Sequence, residues 1–133
     1  MSQDPCICVA LRKASRRLTA RYDAAVAPAG ISLAQFSLLR NVRRHAPLSI
    51  TRLSQIVELD RSTLGRNLRV LARMGLLTLA PGADRRQETV SLTPAGQAVL
   101  ARATPLWQAV QDDIRHTLGA DGASRLEALL SAL

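Results

Sequence analysis

The amino-acid sequence predicts a mainly α fold with one small β-hairpin, an α+β domain organised around a helix-turn-helix. Three observations predict it. Residues 60–74, DRSTLGRNLRVLARM, place Leu64, Leu68 and Leu71 on one helical face and Ser62, Arg66, Arg69 and Arg73 on the opposite one. A shorter amphipathic segment precedes this helix across a tight turn at Glu58 and Leu59. Two β-compatible segments, 76–79 and 88–92, follow it, separated by PGADRRQ, whose Pro, Gly and Asp favour a turn with a basic tip.

In chain order, residues 5–26 carry Ile7, Ala10, Leu11, Ala14, Leu18, Tyr22, Ala25 and Val26 at near-helical spacing, with Arg12, Arg16 and Arg17 between them. A long first helix is expected, ended by Pro28-Ala29-Gly30 because proline cannot donate to the helical ladder. Ser32 is placed to cap a second helix that runs through Phe36, Leu38, Leu39 and Val42 to about residue 45, where Pro47 breaks it. Ser49 caps a short third helix with Leu53, Ile56 and Val57 inward. Asp60 then caps the arginine-bearing helix, and Gly75 follows it as the residue just beyond its C-terminus. After the hairpin, Thr93 opens a further helix with Pro94 at its first position and Ala95, Val99, Ala103, Leu106, Trp107 and Val110 as its apolar residues. Beyond Leu118-Gly119 a short helix bearing Leu126, Leu129 and Leu130 reaches Leu133. No internal repeat or low-complexity tract divides the chain, so residues 1–133 read as one domain.

Charge narrows the partner. A formal net charge of +8 over 133 residues calls for a polyanion, either nucleic acid or an acidic membrane surface. Lys13 is the only lysine, and arginine forks suit phosphate and guanine, which favours nucleic acid. From Arg61 to Arg73 no acidic residue appears, so a packed inner face backs a purely cationic outer one. Such a helix suits a DNA major groove; the competing reading is a solvated surface helix. A membrane-surface helix would also set leucines opposite cations, but it leaves the capped turn and the basic hairpin without a purpose. No apolar run reaches membrane-spanning length, and the N-terminus has no basic region ahead of a long apolar stretch, so a cytoplasmic protein with no membrane partner is expected. No nucleophile-base pair, phosphate-cradling glycine loop or metal-ligand spacing is present; His45 and His116 lack ligand-spaced partners. Neither enzymatic activity, nor a cofactor, nor a metal is expected. Cys6 and Cys8, without later cysteines to pair with, read as free thiols.

On the arginine helix, Ser62, Thr63, Arg66 and Asn67 are candidates to read bases, with Arg61, Arg69 and Arg73 holding phosphates. Arg85 and Arg86 at the hairpin tip suit a narrow minor groove. The end segments are too apolar for free tails: Ile7, Leu11, Leu118, Leu126, Leu129, Leu130 and Leu133 need a surface, each buried CH₂ being worth about 0.8 kcal/mol. A homodimer supplies that surface, and packing within one chain is the alternative.

Three stretches, LTARYDAAVAPAGISLAQFSLL, LDRSTLGRNLRVLARMGLL and ADRRQETVSLTPAGQ, give the chain a resemblance over essentially its whole length to the MarR family of winged helix-turn-helix transcriptional regulators. The resemblance implies a DNA-binding lobe over 32–92 and dimerisation helices over 5–28 and 93–133. It implies a homodimer on double-stranded, pseudo-palindromic operator DNA, acting as a repressor released by a small-molecule or oxidant signal. In the wing it assigns Asp84 to brace Arg86 for entry into the minor groove. Glu58 departs from the glycine that many relatives carry in the turn, at a place where a side chain resists positive φ.

Two signals follow from the same resemblance. The first helix is similar to that of the organic-peroxide-sensing branch, where a cysteine at the position of Cys8 is the reactive thiol and a tyrosine matching Tyr22 meets it from the other subunit. Arg12 stands where a second tyrosine is expected, and a nearby arginine lowers a thiol pKa. Cys6 and Cys8 suit bridging across a dimer axis rather than to each other, and small apolar packing residues are the alternative. The other signal is a small-molecule effector in the cleft between dimerisation helices and DNA-binding lobe, with Arg16, Phe36, Leu39, His45 and Trp107 as candidate lining.

Overall fold

A computed structural model describes residues 3–82 and 87–133. Among the described residues, six α-helices, one 3₁₀ turn and three strands follow in the order α1 (Ile7–Val26), the 3₁₀ turn (Ala27–Ala29), α2 (Leu33–His45), β1 (Leu48–Ser49), α3 (Ile50–Val57), α4 (Arg61–Arg73), β2 (Leu77–Pro81), β3 (Glu88–Leu92), α5 (Pro94–Leu118) and α6 (Ala120–Ser131).

Local chemistry fixes the helix starts. Ser32 Oγ accepts from the Gln35 N–H at 3.2 Å while Gln35 Oε1 accepts from the Ser32 N–H at 3.0 Å, a reciprocal capping box that satisfies two otherwise orphaned donors. Beside it the Leu33 N–H donates to Asp23 Oδ1 at 2.7 Å, which ties the start of α2 to α1. Ser49 caps α3 through the Arg52 N–H at 3.0 Å. At the other end of α3, Glu58 takes the left-handed conformation with φ 54° and ψ 42°. The resistance expected of a side chain there is overcome by its surroundings: the Leu59 N–H closes on the Ser54 carbonyl at 3.2 Å, and Asp60 must begin the next helix at once.

The end of α4, the start of β2 and the start of α5 form one joint. Gly75, with φ 78°, donates to the Ala72 carbonyl at 3.0 Å, and Leu76 donates to the Leu71 carbonyl at 3.0 Å, the paired bonds of a Schellman cap. Thr93 spans the joint: its N–H donates to the Leu76 carbonyl at 3.1 Å, its hydroxyl to the Gly75 carbonyl at 2.6 Å, and its Oγ1 accepts from the Gly96 N–H at 3.0 Å. A Cβ on Gly96 would lie 1.8 Å from the Leu76 carbonyl oxygen, so only glycine lets α5 seat this closely.

The sheet is antiparallel in the order β1-β3-β2, with Leu48 and Leu79 both opposite Val90. Sequence patterning predicts only the two-stranded hairpin; β1 is two residues long, and its strand character comes from pairing with β3 rather than from any alternation of its own. The core lies between this sheet and the helices, with Phe36, Leu39, Leu53, Leu64, Leu68, Leu71, Val90 and Leu100 fully buried. Among the described residues no polar or charged side chain is buried. Helix α5 continues through Pro105, which cannot donate to the Ala101 carbonyl; both residues are exposed. Helix α6 docks through Ala123, and Arg115 on α5 meets Glu127 on α6 at 2.9 Å. Apolar side chains remain uncovered at both ends of the chain, with Ile7 70%, Leu129 64% and Leu133 84% exposed. No described helix is long and apolar enough to cross a membrane.

Candidate nucleic-acid interface

Burial of Leu64, Leu68 and Leu71 fixes the rotation of α4 about its axis, and the period of 3.6 residues then turns Arg61, Ser62, Arg66, Arg69 and Arg73 outward, all exposed. Asp60 anchors the helix start, accepting the Thr63 N–H on Oδ2 at 3.1 Å and the Thr63 hydroxyl on Oδ1 at 2.6 Å. These bonds, the side-chain one foremost, hold the Asp60 carboxyl below the usual carboxylate range, with a smaller contribution from Arg66. The folded pKa is the depressed one, so this contribution is complete above the ordinary aspartate range and is lost as pH falls through the lowered value.

The predicted base readers divide. Arg61, Ser62, Arg66 and Arg69 line one concavity of about 730 Å³, together with Gly65 on its helix side and Glu88 from β3 opposite. Thr63 is half-buried and its hydroxyl proton is committed to Asp60. Asn67, also half-buried, lines a smaller recess of about 180 Å³ with Ser32, Gln35, Leu38 and Val70. Arg73 is exposed at the last turn and does not line the concavity. Glu88, expected only as the start of a strand, is a site residue that the sequence did not disclose; its register opposite Pro81 at the distal end of the hairpin brings it to the concavity. The wing residues Asp84, Arg85 and Arg86 lie outside the described residues.

A second recess, about 740 Å³, opens between α1, α2, α5 and the turn after α3, with Ser15, Thr19, Phe36, Arg40, Leu59 and Trp107 on its walls. Phe36 and Trp107 stack with ring centroids 5.5 Å apart, and the Arg40 guanidinium sits 4.4 Å over the Trp107 ring. Of the five residues expected to line such a cleft, the structure brings Phe36 and Trp107 together. Leu39 instead belongs to the core, with no exposed surface, because it shares the inner face of α2 with Phe36 and Val42. Arg16 and His45 are exposed and off the recess: α1 presents Ser15 and Thr19, one turn apart, and Arg16 is rotated away from them. Arg40, four residues after Phe36 and therefore on its face, takes the cationic place; the i, i+4 spacing was the available signal.

Cys6 and Cys8 are both exposed, the first at the N-cap of α1 and the second in its first turn. Tyr22 is half-buried, and its hydroxyl donates to the Gln111 side-chain carbonyl on α5 of the same chain. Burial raises the Tyr22 pKa, opposed by Arg21 and Arg115. Helix rise separates Cys8 from Tyr22 by about 21 Å, so within one chain they do not meet. Among the described residues no group of three or more His, Cys, Asp or Glu is arranged to hold a metal ion.

A helix-turn-helix whose second helix carries the outward arginines, followed by an antiparallel hairpin and framed by long helices, defines a winged helix-turn-helix protein. A MarR-family model matches residues 29–87. The crystal structure of the M. tuberculosis transcriptional regulator MosR in complex with DNA is 33% identical, with a TM-score of 0.83 over 96% of this chain and 98% of that one. The chain belongs to the MarR family. The transcriptional repressor CouR bound to a 23-mer DNA duplex is 28% identical, with a TM-score of 0.87 over 96% of this chain and 91% of that one. A cysteine-to-serine mutant of MarR from E. coli complexed with operator DNA is 25% identical, with a TM-score of 0.87 over 95% of this chain and 91% of that one. No curated protein matches the sequence.

Proposed function

We propose that the chain is a homodimeric, sequence-specific DNA-binding transcriptional regulator, a repressor released from a pseudo-palindromic operator by a small-molecule or oxidant signal. The observation that carries the reading is the acid-free arginine face of α4, held outward by three fully buried leucines. Three relatives solved on DNA support it. Residues 32–92 serve as the DNA-binding lobe. In it Ser62, Thr63, Arg66 and Asn67 read base edges in the major groove, Arg61, Arg69 and Arg73 hold phosphates, and Arg86, braced by Asp84, enters the minor groove beside Arg85. Residues 5–28 and 93–133 form the dimer. The exposed Ile7, Leu11, Leu118, Leu126, Leu129, Leu130 and Leu133 support that assignment, since a second copy would cover them. A two-fold axis then presents two copies of α4 to successive major-groove faces.

The role is regulatory rather than enzymatic, needs no cofactor, and is exercised in the cytoplasm. For the signal, the recess holding Phe36, Trp107 and Arg40 favours a small-molecule effector with a flat ring and a negative charge. The thiol alternative, through exposed Cys8 with Cys6 and Tyr22 from the partner copy, is tested by its own arm below.

Salt dependence of duplex binding tests the proposal. With Arg61, Arg69 and Arg73 on phosphates in each subunit, affinity should fall about a thousandfold between ~50 and ~200 mM salt. Salt-insensitive duplex binding, or equal binding to anionic vesicles, would contradict it. Stoichiometric organic hydroperoxide that weakens wild type but spares Cys8→Ser would select the thiol signal; equal loss or no loss leaves the small-molecule one.

A further inference from the structure

Helix α4 carries a glycine in its interior, Gly65, and the fold makes no use of it. Glycine is the poorest helix former after proline, so its presence needs a reason. The reasons that glycine is required at five other positions are visible and do not apply here; the remaining glycine, Gly122, lies at ordinary φ in the first turn of α6, and a Cβ there would meet only the Leu118 Cβ at 3.4 Å. Gly30, Gly75 and Gly119 adopt positive φ, and Gly65 does not. A Cβ on Gly96 would meet the Leu76 carbonyl oxygen at 1.8 Å, and one on Gly82 the Gln87 carbonyl oxygen at 2.0 Å. On Gly65 it would meet one atom within 4 Å, the Arg69 Nη1 at 3.7 Å, which is ordinary contact with the end of a flexible side chain. Alanine would fit and would strengthen the helix.

What remains is the space outside the helix. Gly65 lies four residues after Arg61 and four before Arg69, so the three form one ridge of the helix surface and the glycine is the gap in it. The gap opens into the concavity that Ile50, Arg61, Ser62, Arg66, Arg69 and Glu88 also line, Ile50 being its one large apolar side chain. It offers no side-chain donor or acceptor, and the backbone groups of a helix interior are bonded to one another. Such a notch selects by shape, and it admits an apolar protrusion between two cations. On the major-groove edges of DNA, the apolar group that protrudes is the C5-methyl of thymine, where cytosine carries only a hydrogen.

We propose that Gly65 is the point of closest approach between α4 and the DNA and that its notch receives a thymine C5-methyl, making it a specificity determinant. The inference rests on the DNA-binding reading above and adds to it a residue, a base and an atom.

The test uses the duplex that wild-type protein selects from a random pool, wild type and Gly65→Ala, and a scan in which each thymine is replaced by uracil, which lacks only the methyl. Gly65→Ala should raise Tm by a few degrees. It should bind the selected duplex at least tenfold more weakly, and uracil at one position should restore most of the lost affinity. Affinity within twofold of wild type, equal loss on every thymine and uracil duplex, or a lowered Tm would each overturn the proposal. A wild-type protein that enriches no sequence would overturn the DNA-binding reading itself, before the variant is made.

Discussion

Replacing Gly96 by alanine is expected to lower Tm by about 10 °C, from a destabilisation of about 3 kcal/mol, measured by thermal unfolding of the two proteins side by side. The added Cβ would stand 1.8 Å from the Leu76 carbonyl oxygen and 2.8 Å from the carbonyl carbon, both backbone atoms that no rotamer change can move. Relief requires sliding the start of α5 off the joint, which breaks the bonds by which Thr93 grips Gly75 and Leu76. Overpacking usually costs about 1–3 kcal/mol, and the upper end applies where both walls are backbone. Because the same joint sets the hairpin against α4, duplex binding should fall with stability. An unchanged Tm would mean that the close seating of α5 is not a feature of the folded protein. The contrast with Gly65→Ala, expected to raise Tm, separates a glycine required by packing from one required by a partner.

Arg66→Ala is expected to cost about 1–3 kcal/mol on the selected duplex, roughly fivefold to 150-fold in affinity, and to relax selectivity at one base pair per half-site. Arg66 is exposed in the middle of α4 and lines the concavity. A guanidinium there can donate to both O6 and N7 of a guanine, and its removal penalises that base more than the others. The measurement is affinity on the selected duplex and on single-base variants. Uniform weakening across all of them would place Arg66 on phosphate instead.

Where the structure agrees with expectations drawn from sequence, the information was local. The period that puts Leu64, Leu68 and Leu71 together, the capping side chains of Ser32, Ser49, Asp60 and Thr93, and Gly75 beyond α4 act within a turn or two of their own position. What was missed is long-range. Strand β1 exists because β3 pairs with it; the turn at Glu58 was legible, but not that the side chain would be held in the left-handed conformation there. Placement of Arg40 rather than Arg16 beside Trp107 depends on how α1 and α2 are rotated against α5. Thr93 was readable as the start of α5, but the need for Gly96, set by the Leu76 carbonyl before the other strand of the hairpin, was not.

Selection of bound duplexes from a random pool by wild-type protein tests the DNA-binding reading most directly. Two copies of α4 related by a two-fold axis should enrich a pseudo-palindrome whose half-sites are about 10 base pairs apart, centre to centre. Enrichment of no sequence above the starting pool, or of sites without two-fold symmetry, would contradict it.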